Sequence, residues 1–114
     1  MNSEKLNFAV KTVTDYLAQG EYEELERLSN GIRLKANEIE TAVVDYGRKI
    51  EPLPDTVYEE LDVVEVDGSE PKQWSVNVPV FTFEEGRSDL TLELTIIDSC
   101  SGLYTVEVDD LHVL

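Results

Sequence analysis

Cysteine, histidine and basic side chains are all scarce in this sequence. Its 114 residues include one cysteine, one histidine, and 9 Lys and Arg residues against 25 Asp and Glu residues. A lone cysteine cannot close a disulfide within the chain, which indicates a reducing compartment. One imidazole without a cysteine cluster gives too few ligands for a transition-metal site. We therefore expect no metal and no other cofactor.

Long apolar runs are also missing. No run approaches the roughly 18 residues that a membrane-spanning helix needs, and the polar start of the chain lacks a signal-peptide pattern. Apolar residues still make up 41% of the sequence, which is enough for a core. We expect a folded cytoplasmic protein in which residues 1–114 form a single domain.

The formal net charge of −16 excludes two classes of partner. Such a surface repels the phosphates of nucleic acids and the headgroups of anionic membranes. A basic protein surface is the natural electrostatic complement. We therefore expect no nucleic-acid or membrane partner.

Apolar residues in the first half of the chain recur at helical spacing. Three stripes follow one another: Leu6, Val10, Val13 and Leu17; Tyr22, Leu25 and Leu28; and Ile39, Val43 and Tyr46. Ser3 is placed to cap the first helix, while Gly20, Gly31 and Gly47 are stop signals. The spacing predicts three helices, the third over residues 36–46.

Apolar and polar residues alternate in the second half, beyond Pro52 and Pro54. Leu61–Val66 is a first strand that ends at Asp67 and Gly68, and three alternating runs follow, with the apolar members Trp74, Val76, Val78 and Val80; Leu90, Leu92, Leu94 and Ile96; and Tyr104, Val106 and Val108. A period of two is typical of half-buried antiparallel strands. We predict an α+β fold: three N-terminal helices pack on one face of a curved, mainly antiparallel sheet of about four strands.

Strand register follows from keeping the apolar side chains on one face. In the first hairpin this rule places Val80 opposite Leu90. Pro79 cannot donate a ladder hydrogen bond, so it predicts an edge or a bulge in its strand. In the second hairpin the same rule places Val108 opposite Leu92.

The order of elements and three segments resemble known families. A long helix, a short helix, a third helix and a curved sheet resemble the nuclear transport factor 2-like superfamily of cone-shaped α+β domains. Trp74–Val76, residues 85–94 (EGRSDLTLEL) and residues 106–114 (VEVDDLHVL) are similar to an uncharacterised family of short acidic bacterial domains. The resemblance implies the cone fold from about residue 36 onward, and no catalytic residue.

Five residues are candidates for a pocket between the helices and the sheet. Trp74, Tyr104 and Tyr46 carry polar atoms that need partners when buried, and Asp110 and His112 are expected at the rim. The predicted inward face is otherwise apolar and offers almost no proton donor or acceptor for acid–base catalysis. We therefore expect no enzyme. A filled core is the favoured interpretation, and a pocket for a small apolar ligand is the alternative.

His112 stands close to Asp109 and Asp110 in the sequence, and Glu107, Glu93 and Asp89 add carboxylates to the outward face of the sheet and its rim. A metal site there would have one nitrogen ligand, and the carboxylates lack EF-hand-like spacing. We interpret these side chains as a solvated surface. Arg87 is expected to pair with a carboxylate such as Asp89, Asp109 or Asp110, which would fix the turn against the last strand.

Phe81 and Phe83 are predicted on the outward face of the sheet. Contiguous exposed aromatic residues mark an interface, so we expect a homodimer or a partner contact there; equally, both rings could lie under a loop. Together with the acidic surface, this favours a non-enzymatic protein-interaction domain, for example an immunity-type protein that neutralises a basic toxin. A small-ligand-binding domain is the alternative.

Overall fold

Three helices precede a sheet in the computed structural model, which describes residues 1–100 and 102–114. The helices are α1 (Ser3–Gln19), α2 (Tyr22–Leu28) and α3 (Ala36–Tyr46). A 3₁₀ helix (Asp55–Glu60) lies among the strands, which are β1 (Ile50–Glu51), β2 (Asp62–Glu65), β3 (Gln73–Thr82), β4 (Gly86–Ile97) and β5 (Thr105–Val113). The predicted α+β class is confirmed.

Asn2, and not Ser3, caps the first helix. The backbone of Asn2 is extended, and its side-chain oxygen accepts the Lys5 N–H at 3.1 Å. Ser3 is already the first helical residue. The helix ends as predicted at Gly20, whose φ of 73° lies in the left-handed region that glycine adopts without a steric penalty.

Two glutamates accept hydrogen bonds from the backbone N–H groups at the start of α3. Lys35 occupies the cap position but offers no acceptor. The Glu38 carboxylate accepts the Lys35 N–H at 2.9 Å, and Glu26 of α2 accepts the Ala36 N–H at 2.7 Å. Negative charge is favourable at this end of a helix. The same contact ties α2 to α3.

The sheet is open and antiparallel, with β3 and β4 at its centre. β3 pairs with β4 and β4 with β5, while β1 and β2 both pair with the other side of β3. The sequence predicted the four longer strands. It did not predict the two-residue β1 or the 3₁₀ helix, because elements this short show no periodicity.

The first hairpin contains a bulge beside Pro79. Pairing follows the predicted register up to Pro79 and then shifts, so the predicted pair Val80–Leu90 does not form. Phe81 lies opposite Arg87 instead. The extra residues lie in β4, where Ser88, Asp89 and Leu90 face the single residue Val80, so the irregularity falls next to Pro79 but not in its own strand as predicted.

The second hairpin corrects a predicted register. Val108 lies opposite Leu94 and not opposite Leu92. A slip of two residues keeps the same side chains on the same face, so alternation alone does not distinguish the two pairings. Beyond Val108 the register shifts, with Asp109 as the extra residue of β5. The shift turns Leu111 into the core, where it is buried opposite Leu92.

The core lies between the helices and one face of the sheet. The buried apolar side chains are Leu6, Ala9, Val10, Val13, Leu17, Leu25, Ile39, Ile50, Leu53, Val57, Trp74, Val76, Val78, Val80, Leu90, Leu92, Leu94, Ile96, Val106, Val108 and Leu111. Among the described residues, no helix is both long enough and apolar enough to cross a membrane.

The loop between α2 and α3 covers the outer edge of β5. Ser29 is 1% exposed, and its Oγ accepts the Val108 N–H at 2.8 Å. The Leu34 N–H donates to the Val108 carbonyl at 3.3 Å. An unpaired strand edge invites pairing with other chains. These bonds satisfy the edge at Val108.

Ser29→Ala removes the acceptor of a buried N–H. We expect a loss of about 1–3 kcal/mol in the free energy of unfolding, because the Val108 N–H keeps its desolvation penalty without its partner. Urea denaturation measures the loss. Ser3→Ala is the matched control, since Ser3 is exposed and does not serve as the cap. Equal stability losses in both variants would contradict this role for Ser29.

Candidate functional site

A row of polar side chains crosses four strands on the outer face of the sheet. Asp62 lies opposite Asn77, Asn77 opposite Glu93, and Glu93 opposite Asp110. Asn77 donates to the Asp62 carboxylate at 3.4 Å. Glu93 and Asp110 are like charges on directly paired residues, which destabilises a sheet unless a positive group lies between them.

His112 supplies a nitrogen next to these two carboxylates. Its Nδ1 is 3.2 Å from Glu93 Oε2 and 3.2 Å from Asp110 Oδ2. Nδ1 is inaccessible to solvent, and it makes no aligned hydrogen bond within the part of the chain that the structure describes. We call these three residues the Glu93–Asp110–His112 cluster. All three donor atoms lie within 4.8 Å of one another.

Asp109 is half-buried beside the cluster. The Thr95 hydroxyl donates to its Oδ2 at 2.6 Å, and Arg33 Nε lies 3.2 Å from its Oδ1. Burial raises the pKa of Asp109; Thr95 and Arg33 oppose the rise, whereas the negative charges of Glu107 and Asp110 add to it. Ionisation of the Asp109 carboxylate therefore destabilises the folded state relative to the unfolded chain.

Arg87 does not connect the turn to the last strand, so the predicted pairing is wrong. Its guanidinium lies 3.9 Å from Glu60, at the end of the 3₁₀ helix. The last strand pairs with Arg33 instead, which reaches Glu107 at 3.3 Å as well as Asp109. Arg33 was not a candidate because it lies in a loop far from β5 in sequence.

Trp74 and Tyr104, two of the five candidate pocket residues, contact each other. Trp74 is 3% exposed, and the two rings stack with centroids 5.1 Å apart. The Tyr104 hydroxyl accepts the Asn2 N–H at 2.9 Å. Their shared position is at the start of α1, where both rings pack against the core.

The other three candidate pocket residues lie elsewhere. The Tyr46 hydroxyl donates to Glu85 at 2.8 Å, at the β3–β4 turn. Asp110 and His112 belong to the cluster on the outer face of the sheet. The structure therefore divides the five residues among three places.

Phe81 and Phe83, the candidate interface residues, have different surroundings. Phe81 is half-buried and packs against the core, opposite Glu51 of β1. Phe83 is 61% exposed, and the Lys49 ammonium lies 5.0 Å from the centre of its ring. Phe83 alone is the exposed member of the pair.

A shallow groove between α1 and the 3₁₀ helix was not predicted. Its volume is about 460 Å³, and it is lined by Glu4, Asn7, Phe8, Lys11, Asp55, Tyr58 and Glu59. A cleft of about 340 Å³ shares Asn7, Tyr58 and Glu59 and continues toward β2. Phe8 could have indicated this groove from the sequence, because it lies outside the buried apolar stripe of α1. Its side chain is 54% exposed.

Asp109→Asn tests the cost of the half-buried carboxylate. A raised native pKa means that the favourable contribution of this group is present at low pH and is lost as the pH rises through that pKa. The stability of Asp109→Asn relative to the parent protein should therefore grow between about pH 4 and pH 7. Urea denaturation across this range measures it, and Asp67→Asn corrects for the changed net charge. A constant or shrinking difference would contradict the burial effect.

Comparison with protein families matches residues 14–114 to a domain of unknown function, DUF7668. No curated protein matches the chain. No solved structure matches it. The matched residues run from the middle of α1 to the end of β5, and so include the whole sheet and the Glu93–Asp110–His112 cluster. The chain belongs to the DUF7668 family.

Proposed function

We propose that this protein is a non-enzymatic binding domain that holds a basic segment of a protein partner in the groove between α1 and the 3₁₀ helix. The observation that carries the proposal is Phe8, an exposed aromatic side chain beside Tyr58 in a groove bordered by Glu4, Asp55 and Glu59. Aromatic anchors within a charged rim are typical of protein interfaces.

Charge supports a basic partner. The chain carries a net charge of −16, which accelerates the encounter with a positive surface. Lys11 is the basic residue in the groove, and its ammonium already pairs with Asp15 at 2.9 Å. Tyr58 presents an apolar ring with one neutral hydroxyl, and burial raises its pKa further above the neutral range.

Packing supports binding at the surface over catalysis or ligand binding in the interior. The sheet face toward the helices is lined by buried apolar side chains, and Trp74 and Tyr104 pack against each other. A role as a cytoplasmic immunity-type protein, a homodimer through Phe81 and Phe83, and a relation to bacterial nuclear transport factor 2-like domains stay predictions. The order of helices and sheet supports the last of these.

A displayed library of random peptides tests the groove. We expect the selected peptides to be rich in Lys and Arg and to contain an aromatic or aliphatic residue. Phe8→Ala should weaken their binding at least about tenfold, the effect of losing about 1.4 kcal/mol at a buried anchor. Raising NaCl from about 50 mM to about 500 mM should weaken it further. Isothermal titration calorimetry measures both effects.

Phe83→Ala is the matched control, because it removes a similarly exposed aromatic side chain at the β3–β4 turn. Peptide binding that depends on Phe83 and not on Phe8 would move the interface to that turn and overturn the groove proposal. Selected peptides without net positive charge would overturn the charge argument.

A further inference from the structure

We propose that the Glu93–Asp110–His112 cluster binds a divalent transition-metal ion of the Zn²⁺ class. It offers one imidazole nitrogen and two carboxylate oxygens, ligands that Zn²⁺ accepts in proteins. A single histidine led us to expect no metal from the sequence. The fold changes that expectation, because Glu93 and Asp110 are distant in sequence but paired directly across β4 and β5.

The spacing of the donor atoms fits a metal ion. Two ligands at about 2.0–2.1 Å from a tetrahedral Zn²⁺ lie about 3.3–3.4 Å apart. His112 Nδ1 lies 3.2 Å from Glu93 Oε2 and 3.2 Å from Asp110 Oδ2. The Glu93 and Asp110 oxygens lie within 4.8 Å of each other, so these two side chains must adjust to bring both oxygens onto one ion.

The charge and hydrogen bonds of the cluster also favour a cation. The two opposed carboxylates together balance the charge of a divalent ion, and the ion in turn relieves the repulsion between them. The Leu111 N–H donates to Asp110 Oδ1 at 2.9 Å, which orients this carboxylate and leaves Oδ2 free to face His112. Hydrogen bonds of this kind hold metal ligands in position.

The cluster is open on one side. The side chains of His112, Glu93 and Asp110 are 37%, 41% and 52% exposed, so an ion approaches the carboxylates from solvent and reaches the covered Nδ1 once they move apart, while water completes its coordination. A cleft of about 370 Å³ includes Asn77 and Thr91, the strand partners of Glu93 and His112, and also Arg87, but none of the three cluster residues. The rival interpretation of the cluster is that the protonated His112 side chain bridges the two carboxylates without a metal ion.

Nuclear magnetic resonance of the ¹⁵N-labelled protein is the first test, because the chain has one histidine and its imidazole signals are unambiguous. Titration with ZnCl₂ at neutral pH should saturate at one ion and shift the Nδ1 resonance of His112. MgCl₂ should leave the imidazole unchanged, since Mg²⁺ prefers oxygen ligands. A response at Nε2 alone, or no saturable response, would overturn the site.

Variants separate a built site from general attraction to an acidic surface. His112→Ala and Glu93→Gln should each weaken Zn²⁺ binding at least about tenfold by calorimetry, a loss of about 1.4 kcal/mol. Glu23→Gln removes the same charge as Glu93→Gln from the exposed side of α2 and should leave the affinity within about twofold. Equal losses in Glu93→Gln and Glu23→Gln would reduce the effect to net charge and refute the proposal.

Discussion

The pairing of β5 with β4 is the contact on which both faces of the sheet depend. Val108 lies opposite Leu94 on one side, and on the other its backbone bonds to Ser29 and Leu34. The strand is therefore fixed at this residue by contacts on both edges. The bulge at Asp109 then sets the direction of every later side chain in β5.

The bulge at Asp109 exchanges the faces of the residues after it. With regular alternation from Val108, Asp110 would point into the core and Leu111 out of it. The extra residue reverses this, so Leu111 is buried and Asp110 is exposed opposite Glu93. One local irregularity thus completes the apolar core and assembles the carboxylates and imidazole on the outer face.

Basic side chains neutralise only some of the acidic side chains on the surface. Arg33 lies between Glu107 and Asp109, and Lys11 pairs with Asp15. An exposed pair such as that of Lys11 and Asp15 contributes little to stability, so the core and the backbone ladder hold the fold together. The uncompensated carboxylates then remain available for interactions with basic groups or cations.

Periodicity in the sequence predicted the helices and the order of the longer strands. α3 spans residues 36–46 as predicted, because its apolar stripe indicates the helix and Gly47 marks its end, although its start lacks a Ser or Thr cap. Capping was harder to predict, since Asn2 and Ser3 are adjacent and both are good caps. The 3₁₀ helix has no periodic pattern in the sequence, so neither this helix nor the groove beside Phe8 was predicted.

The outer cluster required information that alternation does not contain. A two-residue slip between β4 and β5 preserves every apolar face, yet it changes which carboxylate lies opposite Glu93. The position of the bulge depends on how Leu111 packs and on how Ser29 binds the strand edge. Both are contacts between residues far apart in sequence, which a pattern of neighbours does not show.

Nuclear Overhauser contacts between β4 and β5 test this pairing most directly. The N–H and C=O of Val108 face the α2–α3 loop, so Val108 and Leu94 form a non-hydrogen-bonded pair whose Hα atoms lie close together. We predict a strong Hα–Hα contact between Leu94 and Val108, and methyl contacts between Leu92 and Leu111. An Hα–Hα contact between Leu92 and Val108 would place β5 in the register slipped by two residues, in which Asp110 no longer lies opposite Glu93, and would contradict this pairing.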